Sequence, residues 1–309
     1  MLEAIEGIHH ITTMAKDAVK TDAFAKGVLG LRRVKKTVNF DAPDVYHLYY
    51  ANGTGQPGTV LTYFPFPNIV RGTRGTGEVG TTVFSVPEGS LDFWERHLTS
   101  HNVSAIRRTE IFGERRLLFE GADGDSFALA ERPADEREPW TEGGIPADCA
   151  IRGFRSAVMV LSDPAPMLEL LHFMGYRPAG EEGNSQRLER PDGNGAQAVE
   201  LVTDHSVPPA RQGGGSVHHI AFAVANTETQ KRVREMLVRE RIPVTPIIDR
   251  NYFFSVYFRT PGGVLFEIAT NEPGFAHDED AAHLGEDLKL PSQHAHLRPY
   301  LETHLPSLD

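Results

Sequence analysis

The chain has 309 residues, 40% of them hydrophobic and 24% charged, a length that suggests two domains or one large one with ample core. Ordinary hydrophobic content with scattered Gly and Pro excludes disorder, collagen-like repetition and a coiled coil. A net charge of −11 without a basic stripe excludes nucleic-acid and anionic-membrane partners, and no apolar run nears the ~20 residues of a membrane span.

The chain repeats itself. HHITTM at 9–14 returns as HHIAFA at 218–223, with weaker copies TTVFSV at 81–86 and SAVMVL at 156–161. Aligning His10, Thr81, Ser156 and His219 spaces four units by 71, 75 and 63 residues. In unit one the opening strand leads to a helix with Phe24, Val28 and Leu31 at i, i+4, i+7, then to strands at 45–51 and 59–64. Unit two has a helix capped by Ser90 with Leu91, Trp94 and Leu98 inward, then RRLLFEG at 115–121 and SFALAE at 126–131. Unit three places Met167, Leu171 and Met174 before a terminating Gly175, followed by QRLER and AVELVT. Unit four starts its helix at a capping box, Thr227 with Gln230, buries Val233, Met236 and Leu237, and continues with FFSVYFR at 253–259 and VLFEIAT at 264–270. Turn residues such as Asn52-Gly53, Asp123-Gly124 and Pro261-Gly262-Gly263 part the strands. The unit is β-α-β-β-β, four times over. Modules one and two occupy 1–132, a charged, Pro/Gly-rich linker 133–150, modules three and four 151–275, and a polar tail 276–309 that wraps the surface.

Equivalent positions of a repeat point into equivalent places. Aligning the last strands puts Glu267 level with Tyr63, Leu129 and Glu200. Modules one and four then supply His10, Tyr63, His219 and Glu267, whereas modules two and three supply Thr81, Leu129, Ser156 and Glu200. Only the first set suits a transition metal. Two imidazoles and a carboxylate match the facial triad of non-haem Fe(II) sites, with coordination positions left for substrate and oxygen. The metal cup therefore requires modules one and four to face each other. Glu267, between Phe266 and Ile268, needs a partner if it is buried, because an unpaired charge there is costly. Tail histidines 277, 283, 294, 296 and 304 have irregular spacing and read as solvated. No nucleophile elbow, P-loop or dinucleotide fingerprint is present. Cys149, the sole cysteine, cannot form an internal disulfide, and MLEAIEGIHH lacks signal-peptide anatomy, so a cytoplasmic protein is expected.

HHIT at 9–12, VLGLR at 28–32, VHHIAFAV at 217–224, Arg250 through Tyr257, and FEIAT at 266–270 resemble the vicinal-oxygen-chelate superfamily, and within it the hydroquinone-type ring-cleaving dioxygenases. The resemblance runs end to end, through HLGEDLKLP at 283–291 and LETHLP at 301–306. It implies an α+β fold of four βαβββ modules paired into two cup-shaped half-barrels. It also implies Fe(II), with Mn(II) less favoured, on His10, His219 and Glu267, and supporting roles for His9, Thr12, His218, Arg250 and Tyr257. Thr12 shares the face of His10, and Tyr257 shares one with Phe253 and Ser255. Strict alternation turns His9 and His218 away from the metal face, so they need a twist, a bulge or the curvature of the cup to reach it.

The expected reaction is cleavage of a small hydroquinone-like aromatic ring with O2, Arg250 or Tyr257 attending the hydroxyl far from the metal. A catechol-type extradiol enzyme is the first alternative, but its branch takes a ligand at the start of unit three, where this chain has Ser156. A glyoxalase-like isomerase or thiol transferase would want a fourth ligand near Tyr63. A non-catalytic aromatic-binding protein needs no metal donors. Self-association into a homo-oligomer is left open.

Overall fold

The computed structural model describes residues 2–308. Module one comprises β1 (Ile8–Ala15), α1 (Ala18–Ala23), β2 (Arg32–Asn39), β3 (Ala42–Ala51) and β4 (Val60–Pro65). Module two comprises β5 (Glu78–Val86), α2 (Leu91–Ser100), β6 (Arg107–Ile111), β7 (Glu114–Glu120) and β8 (Ser126–Glu131). Module three follows with β9 (Gly153–Leu161), α3 (Ala165–Phe173), β10 (Arg177–Glu182), β11 (Ser185–Glu189) and β12 (Ala198–Thr203). Module four has β13 (Val217–Val224), α4 (Thr227–Arg239), β14 (Ile248–Asp249), β15 (Phe253–Arg259) and β16 (Leu265–Pro273). Each module is β-α-β-β-β, and a last helix, α5 (Arg298–His304), ends the tail.

Two curled eight-stranded sheets result. One has the order β14-β15-β16-β13-β1-β4-β3-β2 and joins modules one and four; the other, β10-β11-β12-β9-β5-β8-β7-β6, joins modules two and three. The seams are antiparallel, β1 on β13 and β5 on β9. The two chain crossings between sheets run side by side, Arg71, Thr73 and Thr76 bridging to Gly214, Arg211 and Pro209. Alternation divides each strand between two faces. In the first sheet Ile11, Leu48, Leu61, Tyr63, Ile220, Phe222, Phe266 and Ile268 enter the main core, and the residues between them line the cup.

Three local expectations are corrected. Helix α2 does start after Ser90, but the Ser90 hydroxyl donates to Pro87 O, and the Glu131 carboxylate takes the N–H groups of Gly89 and Leu91. Helix α4 is capped by Asn226, which accepts from Thr229 N at 2.9 Å. Gln230 is instead buried and donates to the carbonyls of Phe254 and Ile268, tying α4 to the sheet. The first helix is short and widens into a π turn over Phe24–Val28, so Leu31 lies past its end. Helix α3 does end where Gly175 adopts φ +87°, a conformation that costs glycine little.

The tail closes one edge of the first sheet. Lys35 on β2 is fully buried and pairs with Asp278 at 2.6 Å and with Glu279, while Lys289 N donates to Lys36 O. Phe275 and Leu284 join Tyr49, Val60, Tyr252 and Phe253 in a second apolar cluster.

Candidate metal centre

Strand pairing builds the site in two neighbouring rows. His10 stands opposite Ala221, Ala221 opposite Glu267, and Glu267 opposite Tyr257. In the next row Tyr49 stands opposite Thr62, Thr62 opposite Thr12, and Thr12 opposite His219. Directly paired residues share a face, so both rows project into the same cup.

At its centre His10 Nε2 lies 3.1 Å from His219 Nε2 and 3.4 Å from Glu267 Oε2, and His219 Nε2 lies 2.9 Å from the same oxygen. All three side chains are buried, Glu267 completely. Glu267 Oε2 nevertheless accepts no well-aligned hydrogen bond, while Oε1 takes the hydroxyl proton of Ser255. Three donor atoms gathered this closely, the carboxylate oxygen buried without a well-aligned partner, fit a shared cation. Bonds of about 2.1 Å at right angles would set donors about 3.0 Å apart, close to these three edges. Among the described residues this is the one such group of three or more His, Cys, Asp or Glu side chains. Burial opposes the charge of Glu267, but His10 and His219 outweigh it and hold the carboxyl well below its usual range. Burial in turn lowers His219, which leaves a neutral imidazole with a lone pair to give.

The doubled histidines have a geometric reason. The β1–β13 register shifts at His9 on one strand and at His218 on the other, so each is the extra residue of a bulge. His9 Nδ1 thereby comes to 2.9 Å from His10 Nδ1, and His218 Nδ1 to 2.8 Å from His219 Nδ1. For His10 and His219 to present Nε2 lone pairs their protons must sit on Nδ1, and these neighbours are the acceptors. Burial and the adjacent histidines push His9 and His218 down to about 3, so both remain neutral acceptors.

Arg250 and Tyr257 flank the donors, the Tyr257 ring centred 5.8 Å from that of His219. Arg250 Nε donates to the Tyr257 hydroxyl at 3.3 Å, its guanidinium lies 5.4 Å from that ring's centre, and Nη2 reaches Asp41 at 3.1 Å. Burial raises Tyr257 well above its usual range, and Tyr257 and Asp41 more than offset burial in keeping Arg250 cationic. A cavity of about 570 Å³ opens in front of the donors, walled by Met14, Phe40, Phe64, Phe66, Ile248 and Leu265.

The structure corrects the alignment of the last strands by one residue. His10 pairs with Val60 as Ser156 pairs with Ala198, so Thr62, two positions on, is the counterpart of Glu200 and Glu267. The same register in module two selects Ala128 in place of Leu129. Tyr63 points to the other face, where its hydroxyl donates to buried Asp125 at 3.1 Å. The fourth place in the first cup is therefore a threonine, which hydrogen-bonds Thr12 at 2.8 Å and His47 at 2.9 Å. Thr62, His47, Tyr49 and Ser255 were not among the candidates from sequence. Ser255 lay on the face already assigned to Tyr257, and Thr62 needed only the correct register.

The second cup shows what the scaffold does without metal donors. Thr81 and Ser156 take the places of the two histidines, but Glu200 persists. It receives Arg116 at 2.6 and 2.9 Å, Arg187 at 2.9 Å and the Ser156 hydroxyl at 2.7 Å. Guanidinium charge balances that buried carboxylate.

A family model described as the glyoxalase/bleomycin resistance protein/dioxygenase superfamily matches residues 7–268. The chain belongs to that superfamily. It is 41% identical over 307 residues to MhqE of Bacillus subtilis (strain 168), provisionally named a ring-cleaving dioxygenase, covering 98% of this chain and 99% of that one. It is 36% identical over 301 residues to the chlorohydroquinone/hydroquinone 1,2-dioxygenase of Sphingobium indicum, covering 94% and 93%. A B. subtilis subsp. subtilis str. 168 crystal structure, of a protein provisionally named a dioxygenase, superposes with a TM-score of 0.94 at 39% identity over 99% of this chain and 98% of that one. Among the described residues no helix is long and apolar enough to cross a membrane.

Proposed function

We propose that this protein is an Fe(II)-dependent dioxygenase that opens a hydroquinone-like aromatic ring with O2. The observation that carries the reading is the donor set: two imidazoles that line a largely apolar cavity and one fully buried carboxylate beside them, with Thr62 where a fourth ligand would close the site. The name of the Bacillus relative supports ring cleavage, and that of the Sphingobium relative the hydroquinone substrate. Fe(II) is preferred to Mn(II) because nitrogen donors bind it more tightly in the divalent series. The bound ion would bring ring and O2 together and pass electron density from one to the other, both oxygen atoms entering the ring-opened product.

The chain's own residues do the rest. His10, His219 and Glu267 hold the ion, and His9, His218 and Ser255 fix the orientation of those three. Para hydroxyls are too far apart to chelate one ion, so the far hydroxyl needs protein partners. Arg250, permanently charged, and Tyr257, kept protonated, supply donors to that oxygen as charge develops on it. Phe40, Phe64 and Phe66 exclude water around the ring. Thr12 places its hydroxyl 2.9 Å from His219 Nε2, beside the reacting end of the substrate.

The test loads the protein anaerobically with Fe(II) and follows oxygen uptake with hydroquinone, a catechol and a hemithioacetal. Uptake with hydroquinone is expected. Uptake with the catechol alone, or conversion of the hemithioacetal without oxygen, would replace this reading with an extradiol enzyme or an isomerase.

A further inference from the structure

The cavity holds one more imidazole, to which the site above assigns no role. His47 on β3 lines it, and both ring nitrogens are engaged: Nδ1 with the Tyr49 hydroxyl at 2.8 Å, Nε2 with Thr62 Oγ1 at 2.9 Å. From Thr62 the chain of hydrogen bonds runs to Thr12 at 2.8 Å and from Thr12 to His219 Nε2 at 2.9 Å. The rings of Tyr49 and Phe64, centred 4.0 and 4.3 Å away, wedge the imidazole in place.

The second cup shows where a side chain at this position points. Tyr49 pairs with Thr62 as Leu118 pairs with Ala128, so the counterpart of His47 is Arg116. The guanidinium of Arg116 reaches Glu200, the counterpart of Glu267.

We propose that His47 is a positioning residue for the ring oxygen of the substrate, acting through Thr62 to aim the Thr12 hydroxyl as a donor. This rests on the ring-cleaving reading above. The direction follows from counting protons. The Tyr49 hydroxyl is buried, and His47 is its one hydrogen-bond partner among the described residues. Tyr49 must therefore donate, since a buried hydroxyl proton without an acceptor is costly. A neutral imidazole has one N–H, so Nε2 carries it and donates to Thr62. Thr62 then donates to Thr12, and the Thr12 proton points toward His219 Nε2. Once that lone pair is committed to a metal ion, the acceptor left for Thr12 is an oxygen of the substrate. Thr12 and Thr62 can each rotate a hydroxyl, whereas His47, its N–H placed by the Tyr49 donation, fixes the direction of the chain.

The experiment measures hydroquinone binding to the Fe(II)-loaded protein by anaerobic calorimetry, with iron content determined on each sample. His47→Leu should keep its iron and bind hydroquinone about tenfold more weakly, the effect of one hydrogen bond. His47→Gln, whose amide N–H can serve Thr62, should stay within about threefold of wild type, and Tyr49→Phe should fall between. The double variant His47→Leu/Thr62→Val should bind no more weakly than the worse single one, because the two act in one chain. Unchanged binding in His47→Leu, or losses that multiply in the double variant, would overturn the proposal. Wild-type protein that holds iron but does not bind hydroquinone would overturn the ring-cleaving reading itself, and this inference with it.

Discussion

Replacing Glu200 with glutamine separates the scaffold from the metal centre. The substitution keeps the shape but removes the charge that Arg116 and Arg187 meet at 2.6 and 2.9 Å in the second cup. Both arginines are buried, and each would be left with Glu114, at 2.9 and 2.6 Å, as its remaining partner in that cluster. Breaking a buried pair by deleting one partner costs about 3–5 kcal/mol, and the surviving Glu114 contacts place this case near 3. At roughly 1.5 °C per kcal/mol for a chain of 309 residues, Tm should fall by about 4–5 °C. Circular dichroism melting of metal-free protein measures this, and iron content should remain that of wild type. The pH dependence follows in sign. Burial opposes the charges of Glu114 and Glu200, but the arginines outweigh it, holding Glu114 at about 2 and lowering Glu200. A depressed carboxylate contributes stability that is complete above its unfolded value of 4.5 and disappears as pH falls through the folded value. Wild type should therefore weaken below about pH 4.5, and Glu200→Gln should show a shallower loss. A Tm within about 1 °C of wild type, or loss of iron, would refute the reasoning.

Two further substitutions probe the metal cup. Ser255→Ala removes the hydroxyl that orients Glu267 through Oε1 and should weaken iron affinity about 10- to 100-fold, measured by competition with a chelator. Thr62→Glu puts a carboxylate at the position equivalent to Glu267 and supplies a fourth protein donor. Iron should be retained while oxygen uptake with hydroquinone falls at least ~100-fold, because catalytic sites need open positions.

The repeat was legible because the opening strands carry chemistry as well as periodicity. HHI at 9–11 and 218–220 marks equivalent positions on β1 and β13, and their second histidines meet at 3.1 Å. The closing strands gave a weaker signal: between GTVLTYF and GVLFEIAT a slip of one residue leaves the apolar pattern nearly unchanged, yet it exchanges Thr62 for Tyr63 and one face of the sheet for the other. The second strand of each module could be inferred from the repeat but not located. RRVKKTVN, RRTEI and RPAGEE are polar because they lie at or near sheet edges, and β2 buries Lys35 only because the tail brings Asp278 and Glu279 to it. Alternation alone turns His9 and His218 away, and of a twist, a bulge or the curvature of the cup, it is a bulge at each that brings the ring back. Register shifts of this kind leave no mark in composition. His47 was hidden differently: within VYHLYYA its neighbours read as an ordinary strand, and its partners, Thr62 and Tyr49, become neighbours only when β3 pairs with β4.

Iron content per chain, measured after anaerobic loading and desalting, tests the central claim most directly. Wild type should retain one ion, and His10→Ala, His219→Ala and Glu267→Ala should each retain essentially none while keeping the wild-type circular dichroism spectrum. Retention of a full equivalent by any of the three would contradict the assignment of these residues as the donors.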